Sequence, residues 1–125
     1  MKEGKNVLIL DDEPIVGERL KPVLEKAGFN VEVFTDSQKA LNRLEEKRFH
    51  VLITDVRMSG PDGIDVLSFV KKQGFDTQVI VITGYGSIET VLDTKYLGAF
   101  KYVNKPFKLD DMCELVVKAA ESVKE

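Results

Sequence analysis

The chain has little with which to stabilise a fold by cross-links. Its 125 residues include one cysteine, one histidine and no tryptophan. The single cysteine, Cys113, excludes an internal disulfide and suits a reducing compartment. It has no Cys or His partner at metal-ligand spacing, so a zinc site of the usual kind is not expected. The fold must therefore depend on a hydrophobic core, and a chain of this length can bury one.

Long apolar runs and an excess of positive charge are also missing. No stretch approaches the roughly 18 apolar residues of a membrane-spanning helix, and the N-terminus has no signal-peptide apolar region. The formal net charge of -3 argues against direct nucleic-acid binding by this segment. With 43% hydrophobic and 31% charged residues, the composition is typical of a soluble globular protein. The single cysteine favours a cytoplasmic location. We expect residues 1–125 to form one domain.

Short apolar runs alternate with amphipathic stretches five times along the chain. The runs predict strands near 6–10, 29–34, 50–54, 78–82 and 100–103. The amphipathic stretches predict helices near 14–27, 37–47, 64–73, 87–97 and 108–123. This regular alternation predicts a parallel sheet with helices on both faces.

The composition of the runs also predicts the order of the strands. The runs 7–10, 51–53 and 79–82 are apolar throughout, as interior strands of a sheet covered on both faces should be. The runs 31–34 and 100–103 each contain a charged residue, so we place strands 2 and 5 at the edges. The expected fold is α/β, a doubly wound (βα)5 flavodoxin-like three-layer sandwich with strand order 2-1-3-4-5.

Local signals predict how the helices begin and end. Asp36 or Ser37 is a plausible N-cap of the second helix, and Ser87 of the fourth. Gly28 is a plausible C-cap of the first helix, within which Pro22 is expected to cause a bend. The charged stretch 45–48 is expected to be a solvated helix end.

Polar side chains follow four of the five predicted strands. Asp11 and Asp12 follow strand 1, Asp55 follows strand 3, Thr83 follows strand 4 and Lys105 follows strand 5. Ligands of open α/β sheets bind beyond the carboxyl ends of the strands, at the switch point between strands 1 and 3. Crowded carboxylates require protons or a cation, and Mg²⁺ binds carboxylates together with phosphate oxygens. Each residue alone could be a cap or a surface charge, but together they favour a metal-assisted phosphate site with a carboxylate nucleophile.

The chain resembles a response-regulator receiver domain of bacterial two-component signalling over essentially its whole length. The matching residues are Asp11-Asp12-Glu13, Asp55 with Met58, Asp62 and Gly63, Thr83, and Lys105-Pro106-Phe107. The segments 83–90 and 97–100 are most similar to receivers of enhancer-binding, sigma-54-type transcriptional activators. One departure is Ser59, which stands where receivers commonly have proline after the methionine and leaves the path of that loop open.

The resemblance implies roles for the input side of the site. Asp55 would accept a phosphoryl group from a sensor histidine kinase or a phosphotransfer protein. Asp11, Asp12, Asp55 and the backbone carbonyl of Arg57 would hold Mg²⁺ or Mn²⁺. Lys105 would pair with Asp55 or with its phosphate. The domain would catalyse its own phosphotransfer and dephosphorylation and would not turn over external substrates.

The resemblance also implies a conformational switch. The Thr83 hydroxyl would turn toward the phosphoryl oxygens, and Tyr102 would move inward as Thr83 moves. Alternatively, Tyr102 is an edge-strand aromatic residue packed on the last helix. The Lys105-Pro106 bond would be cis, and the small Gly84 would leave the phosphoryl group open to water. The signal would reach an output domain or partner, with transcription regulation expected, and a homodimer formed on phosphorylation stays open.

Three other functions compete with this interpretation. A phosphatase of the haloacid-dehalogenase type would need an Asp-x-Asp motif after strand 1, which Asp11-Asp12-Glu13 does not provide. A nucleotide- or flavin-binding module would need a Gly-x-Gly-x-x-Gly turn there, and that turn is acidic instead. A receiver-like interaction domain that does not accept phosphate is the third alternative.

Overall fold

Five strands and four helices form the described part of the chain. The structure, a computed structural model, describes residues 4–58, 60–84 and 98–123. The strands are β1 (Asn6–Leu10), β2 (Asn30–Phe34), β3 (Val51–Asp55), β4 (Gln78–Thr83) and β5 (Lys101–Asn104). The helices are α1 (Pro14–Lys26), α2 (Ser37–Glu46), α3 (Gly63–Lys72) and α4 (Leu109–Glu121). Each lies within two residues of its predicted bounds, whereas the predicted helix at 87–97, with its cap Ser87, falls outside the described residues.

The strands form one parallel sheet in the order β2-β1-β3-β4-β5. This confirms the predicted α/β fold, with β2 and β5 at the edges. β1 pairs with β2 on one side and with β3 on the other. The chain therefore passes from β1 outward to β2 and then crosses back to β3 on the other side of β1. The switch point therefore lies between β1 and β3, as predicted.

Two buried clusters cover the two faces of the sheet. Alternate residues of β1 serve opposite faces, with Val7 and Ile9 in one cluster and Leu8 and Leu10 in the other. Helices α1 and α4 cover the first face, and α2 and α3 cover the second. Because every side chain of β1 from Val7 onward is fully buried, a one-residue slip would place each of them against the wrong helix layer. The core thus fixes which residues reach the carboxyl edge of the sheet.

The helix ends follow the local sequence. The Asp36 carboxylate accepts a hydrogen bond from the backbone N–H of Lys39 at 3.0 Å, so Asp36 is the N-cap and Ser37 is the first helical residue. Gly28, with φ of 103°, follows α1 and permits the left-handed turn that ends it. Pro22 lies inside α1, which nevertheless continues to Lys26. None of the helices in these described ranges is long and apolar enough to cross a bilayer.

The charged stretch 45–48 at the end of α2 is mostly solvated, as predicted, because Glu45, Glu46 and Arg48 are exposed and only Lys47 is partly buried. Arg43 and Lys47 both bind the Glu32 carboxylate of edge strand β2 at 2.8 Å. Arg48 pairs with Asp76 at 2.8 Å. The hydrogen bond from Arg43, reinforced by Lys47, lowers the pKa of Glu32 to about 2. The charged residue Glu32 thus correctly indicated that β2 is an edge strand. It also forms ion pairs with Arg43 of α2 and with Lys47, which follows that helix.

Candidate functional site

Three carboxylates meet at the carboxyl edge of the central strands. Asp11 directly follows β1, and the register that pairs Leu10 with Thr54 places Asp11 beside Asp55. One carboxylate oxygen from each of Asp11, Asp12 and Asp55 lies within 4.8 Å of the other two. Asp11 and Asp55 are buried, whereas Asp12 is exposed. The sequence prediction that these three side chains converge is thus met in the structure.

Strands β3 and β4 each extend one residue further than predicted and so include Asp55 and Thr83. Each is the last residue of its strand, not the first residue after it. The ladder extends this far because Asp55 pairs with Ile82 and Thr83 pairs with Asn104. Both side chains are consequently held on regular backbone, and Thr83 is only 1% exposed.

Lys105 joins the carboxylates from the far side of the sheet. Its Nζ lies 2.7 Å from Asp55 Oδ2, 2.9 Å from Asp11 Oδ2 and 3.2 Å from Glu13 Oε1. Its backbone N–H donates to the carbonyl of Thr83 at 2.8 Å, which ties the residue to the end of β4. The peptide bond that follows Lys105 is cis, as the resemblance implied.

The electrostatics of the site reflect burial and crowding together. Desolvation by burial raises the pKa of Asp11, and the charge of Asp55 adds to the effect, although the Glu13 backbone and Lys105 oppose it. For Lys105, partial burial acts to lower the pKa, but the hydrogen bond to Asp55 and the close ion-pair contact with Asp11 outweigh it and raise the pKa above its ordinary value. Lys105 is therefore a permanent cation beside a carboxyl group, Asp11, that resists ionisation.

Backbone contacts fix the loop that follows Asp55. The backbone N–H of Arg57 donates to Asp55 Oδ1 at 3.0 Å. The N–H of Gly63, the first residue of α3, donates to the carbonyl of Val56 at 2.9 Å. A Cβ on Gly63 would lie 2.3 Å from the carbonyl oxygen of Asp55, so only glycine fits at this point. The start of α3 and the end of β3 therefore depend on each other.

The donor set fits a hard divalent cation. Three carboxylates provide only oxygen ligands, which Mg²⁺ prefers. Asp11 Oδ2 is buried and, although it lies in ion-pair contact with Lys105, receives no well-directed hydrogen bond from the described residues. A cation would satisfy that oxygen and offset the crowding of negative charge.

Tyr102 lies on the opposite face of the sheet from the last helix. Its ring packs against the cluster that α2 and α3 cover, so the alternative in which it packs on the last helix was wrong. The register pairs Tyr102 with Val81, which belongs to the same cluster. Its hydroxyl donates to Asn104 Oδ1 at 3.3 Å, which holds the partly buried ring at the edge of β5.

Sequence reasoning gave Glu13 no role in the site. It was noted only as the third residue of the acidic motif after strand 1, yet it contacts Lys105. The signal was its place at the same sheet edge as Lys105. The step that sequence could not supply was the reach of two long side chains between residues 92 positions apart.

Comparisons with known proteins agree with this geometry. The family profile described as response regulator receiver domain matches residues 7–117. An NtrX-like response regulator of Rickettsia typhi is 37% identical over 121 residues, which are 95% of this chain and 26% of that protein. The transcriptional regulatory protein FixJ of Bradyrhizobium diazoefficiens is 33% identical over 119 residues, 93% of this chain and 58% of FixJ.

A similar solved structure comes from Burkholderia pseudomallei. It is a response regulator crystallised with a phosphorylated aspartic acid, a calcium ion and citrate. It superposes with a TM-score of 0.80 at 26% identity and covers 94% of this chain and 73% of that one. The present chain spans about a quarter of the length of the NtrX-like relative.

Proposed function

Because the chain belongs to the response-regulator receiver domain family of two-component signalling, we propose that it is a phosphorylation-dependent switch with Asp55 as phosphoacceptor. The observation that carries this proposal is the contact of 2.7 Å between Lys105 Nζ and Asp55 Oδ2, beside two further carboxylates. The Burkholderia relative with a phosphorylated aspartic acid supports it by analogy. We propose residues 1–125 as one receiver domain.

In the proposed reaction, Asp55 acts as the nucleophile. One of its carboxylate oxygens forms a bond to phosphorus, and the bond between phosphorus and the donor's imidazole nitrogen breaks. The electron pair of the broken bond stays on the nitrogen of the kinase or phosphotransfer protein. Lys105, held on the end of β4 through its backbone, offers a positive charge to the phosphoryl oxygens.

Asp11, Asp12, Asp55 and the Arg57 carbonyl would hold the divalent cation, Mg²⁺ or Mn²⁺. When bound, the cation neutralises carboxylate charge and ligates phosphate oxygens. Backbone hydrogen bonds orient two of these carboxylates. Asp11 is oriented by the Glu13 backbone N–H at 2.9 Å, and Asp55 by the Arg57 backbone N–H.

The switch is proposed to run from Thr83 to Tyr102. A phosphoryl group brings charge of about -1.5 to -2 and strong acceptors to the edge where Thr83 ends β4. Gly84 follows, and no described heavy atom lies within 4 Å of the position that a Cβ would take there, which supports access of water to the site. Tyr102 is partly buried, and among the described residues its hydroxyl makes one hydrogen bond, of 3.3 Å to Asn104, that a change of its position would have to break.

The site does not favour the competing functions. The chain is a signalling domain, and self-catalysed phosphotransfer and dephosphorylation are proposed here in place of turnover of external substrates. A bare phosphate or dinucleotide would meet the carboxylates of Asp11 and Asp55 without a glycine-rich cradle. We propose a cytoplasmic location and an output in transcription regulation through an attached domain or a partner, as the FixJ relative suggests.

The test is phosphorylation by acetyl phosphate with Mg²⁺, followed by intact mass and by the acid- and base-lability of the adduct. We expect wild type to gain one phosphoryl group and Asp55→Asn to gain none, with Asp36→Asn as a control that keeps the site intact. Gain by Asp55→Asn at the wild-type rate, or no gain by wild type, would refute the proposal. Omission of Mg²⁺ should suppress the reaction.

A further inference from the structure

Among the described residues, Lys105 has three carboxylate partners, and one of them differs from the other two in its exposure. The side chains of Asp11 and Asp55 are 1% and 8% exposed, whereas that of Glu13 is 64% exposed. Asp11 and Asp55 have proposed roles as metal ligands, and Asp55 also as phosphoacceptor. Glu13 has no such role, yet its carboxylate lies 3.2 Å from the lysine ammonium.

The main chain of Glu13 places its side chain toward Lys105. Its backbone N–H donates to Asp11 Oδ1 at 2.9 Å, which fixes the turn after β1. Glu13 is the residue before α1, but its side chain makes no capping hydrogen bond to that helix. Within the described ranges, the carboxylate of Glu13 instead contacts Lys105, which follows β5.

The exposed contact is the one that Lys105 can give up most easily. Exposed ion pairs contribute about 0–1 kcal/mol, because water screens the charges and two long side chains must be ordered. The buried contacts with Asp11 and Asp55 are stronger and raise the pKa of Lys105. Any group that needs the ammonium during phosphorylation therefore competes first with Glu13.

We infer that Glu13 is a positioning residue that holds Lys105 in the unphosphorylated protein and competes with the phosphoryl group for it. The inference rests on the proposed function of Asp55 and Lys105. Glu13 also adds negative charge on the open side of the site, where an anionic phosphodonor must approach. Both effects slow phosphorylation, so Glu13 sets how readily Asp55 takes up phosphate.

The test compares Glu13→Gln with wild type for the rate of phosphorylation by acetyl phosphate with Mg²⁺. We expect an increase of about two- to five-fold, the factor that corresponds to loss of an exposed ion pair. Glu18→Gln, which removes the same charge from the exposed surface of α1, is the matched control and should leave the rate unchanged. Denaturation midpoints confirm that the variants are folded.

A double-mutant cycle shows whether Glu13 acts through Lys105. In a Lys105→Met background, where phosphorylation is slow and is followed over long incubations, Glu13→Gln should change the rate less than in wild type, because only the effect of its charge on the approaching donor remains. The inference would be overturned if Glu13→Gln had the same effect in Lys105→Met as in wild type. It would also be overturned if Glu13→Gln and Glu18→Gln were phosphorylated at equal rates. Neither outcome would affect the proposed function, provided that wild type takes up phosphate. Absence of any phosphoryl gain by wild type would instead remove the proposed function on which the inference rests.

Discussion

Lys5 Nζ donates a hydrogen bond to the carbonyl oxygen of Ala120 at 2.5 Å, which joins the start of β1 to the last turn of α4. Lys5 is only 5% exposed, and a cation at a helix C-terminus is favoured by the helix dipole. We expect Lys5→Met to lower the free energy of unfolding by about 1–3 kcal/mol, because it removes a charged hydrogen bond in a buried setting. Urea denaturation measures the change.

Lys21→Met, on the exposed surface of α1, is the control for loss of a positive charge. Its stability should stay within about 0.5 kcal/mol of wild type. If Lys5→Met proved as stable as this control, the free-energy cost of desolvating the ammonium would equal the stabilisation from its contacts. Lys5 would then make no net contribution to the packing of β1 against α4.

Glu32 makes part of the stability dependent on pH. Its pKa is about 2 in the folded protein, below the ordinary value of 4.5, so the contribution is present above pH 4.5 and is lost as pH falls toward 2. The side chain is 27% exposed, so we discount the shift for screening and expect about 1 kcal/mol. The unfolding free energies of wild type and Glu32→Gln should differ by this amount at pH 7 and converge near pH 2–3.

Glu25→Gln provides the comparison for Glu32→Gln, since it removes an exposed carboxylate of α1. Its unfolding curve should follow that of wild type at each pH. A constant difference between wild type and Glu32→Gln over the whole range would mean that the amide loses packing, and that the ion pairs with Arg43 and Lys47 contribute little.

An exposed apolar groove beside the proposed site offers a test of how a phosphodonor protein docks. Ile15 on α1 is 47% exposed and, with Val16, Arg19, Pro106 and Phe107 among its neighbours, lines a cavity of about 410 Å³. We expect Ile15→Asn to slow phosphotransfer from a histidine kinase by about ten-fold, which corresponds to the loss of one buried anchor of about 1.4 kcal/mol. Phosphorylation by acetyl phosphate should stay within two-fold.

The contrast between the two donors is the control for Ile15→Asn. Equal losses with both donors would indicate damage to the site itself. Equal rates with the kinase would show that the groove does not contribute to docking.

The sheet and its order were predictable because they depend on short-range pattern. Runs such as 79–82 are apolar at every position, and this alone places β4 in the interior of a sheet covered on both faces. The convergence of Asp11 and Asp55 then follows from parallel strands, without knowledge of any side-chain conformation. The end of β3 differed from the prediction by one residue, since the hydrogen-bonded ladder continues through Asp55, past the last apolar side chain.

The contacts that escaped prediction depend on the reach of long side chains between distant segments. Lys105 and Glu13 are 92 positions apart, and Lys5 and Ala120 are 115 apart. Pattern shows which edge of the sheet such residues occupy but not which partner each one selects. The face of Tyr102, in contrast, could have been read from strand alternation, because it pairs with Val81 of the second cluster.

Replacement of the buried Asp11 tests two opposite effects on the free energy of unfolding: the destabilisation caused by its burial without metal, and the stabilisation gained when Mg²⁺ binds. Burial raises the pKa of Asp11, so its ionised form is disfavoured in the folded protein, and stability falls as pH rises above the unfolded value of 3.8. In chelator at pH 7, Asp11→Asn should therefore have a larger free energy of unfolding than wild type. Urea denaturation without added metal measures this gain.

Addition of Mg²⁺ should reverse the order. Wild type is expected to gain stability with the logarithm of the Mg²⁺ concentration, whereas Asp11→Asn should gain little, because binding to the folded state alone provides the stabilisation. Asp12→Asn distinguishes the two effects: Asp12 is exposed, so its replacement should remove the Mg²⁺-dependent gain without raising stability in chelator. If Mg²⁺ stabilised all three proteins equally, the cation would bind elsewhere, and the three carboxylates would not be its ligands.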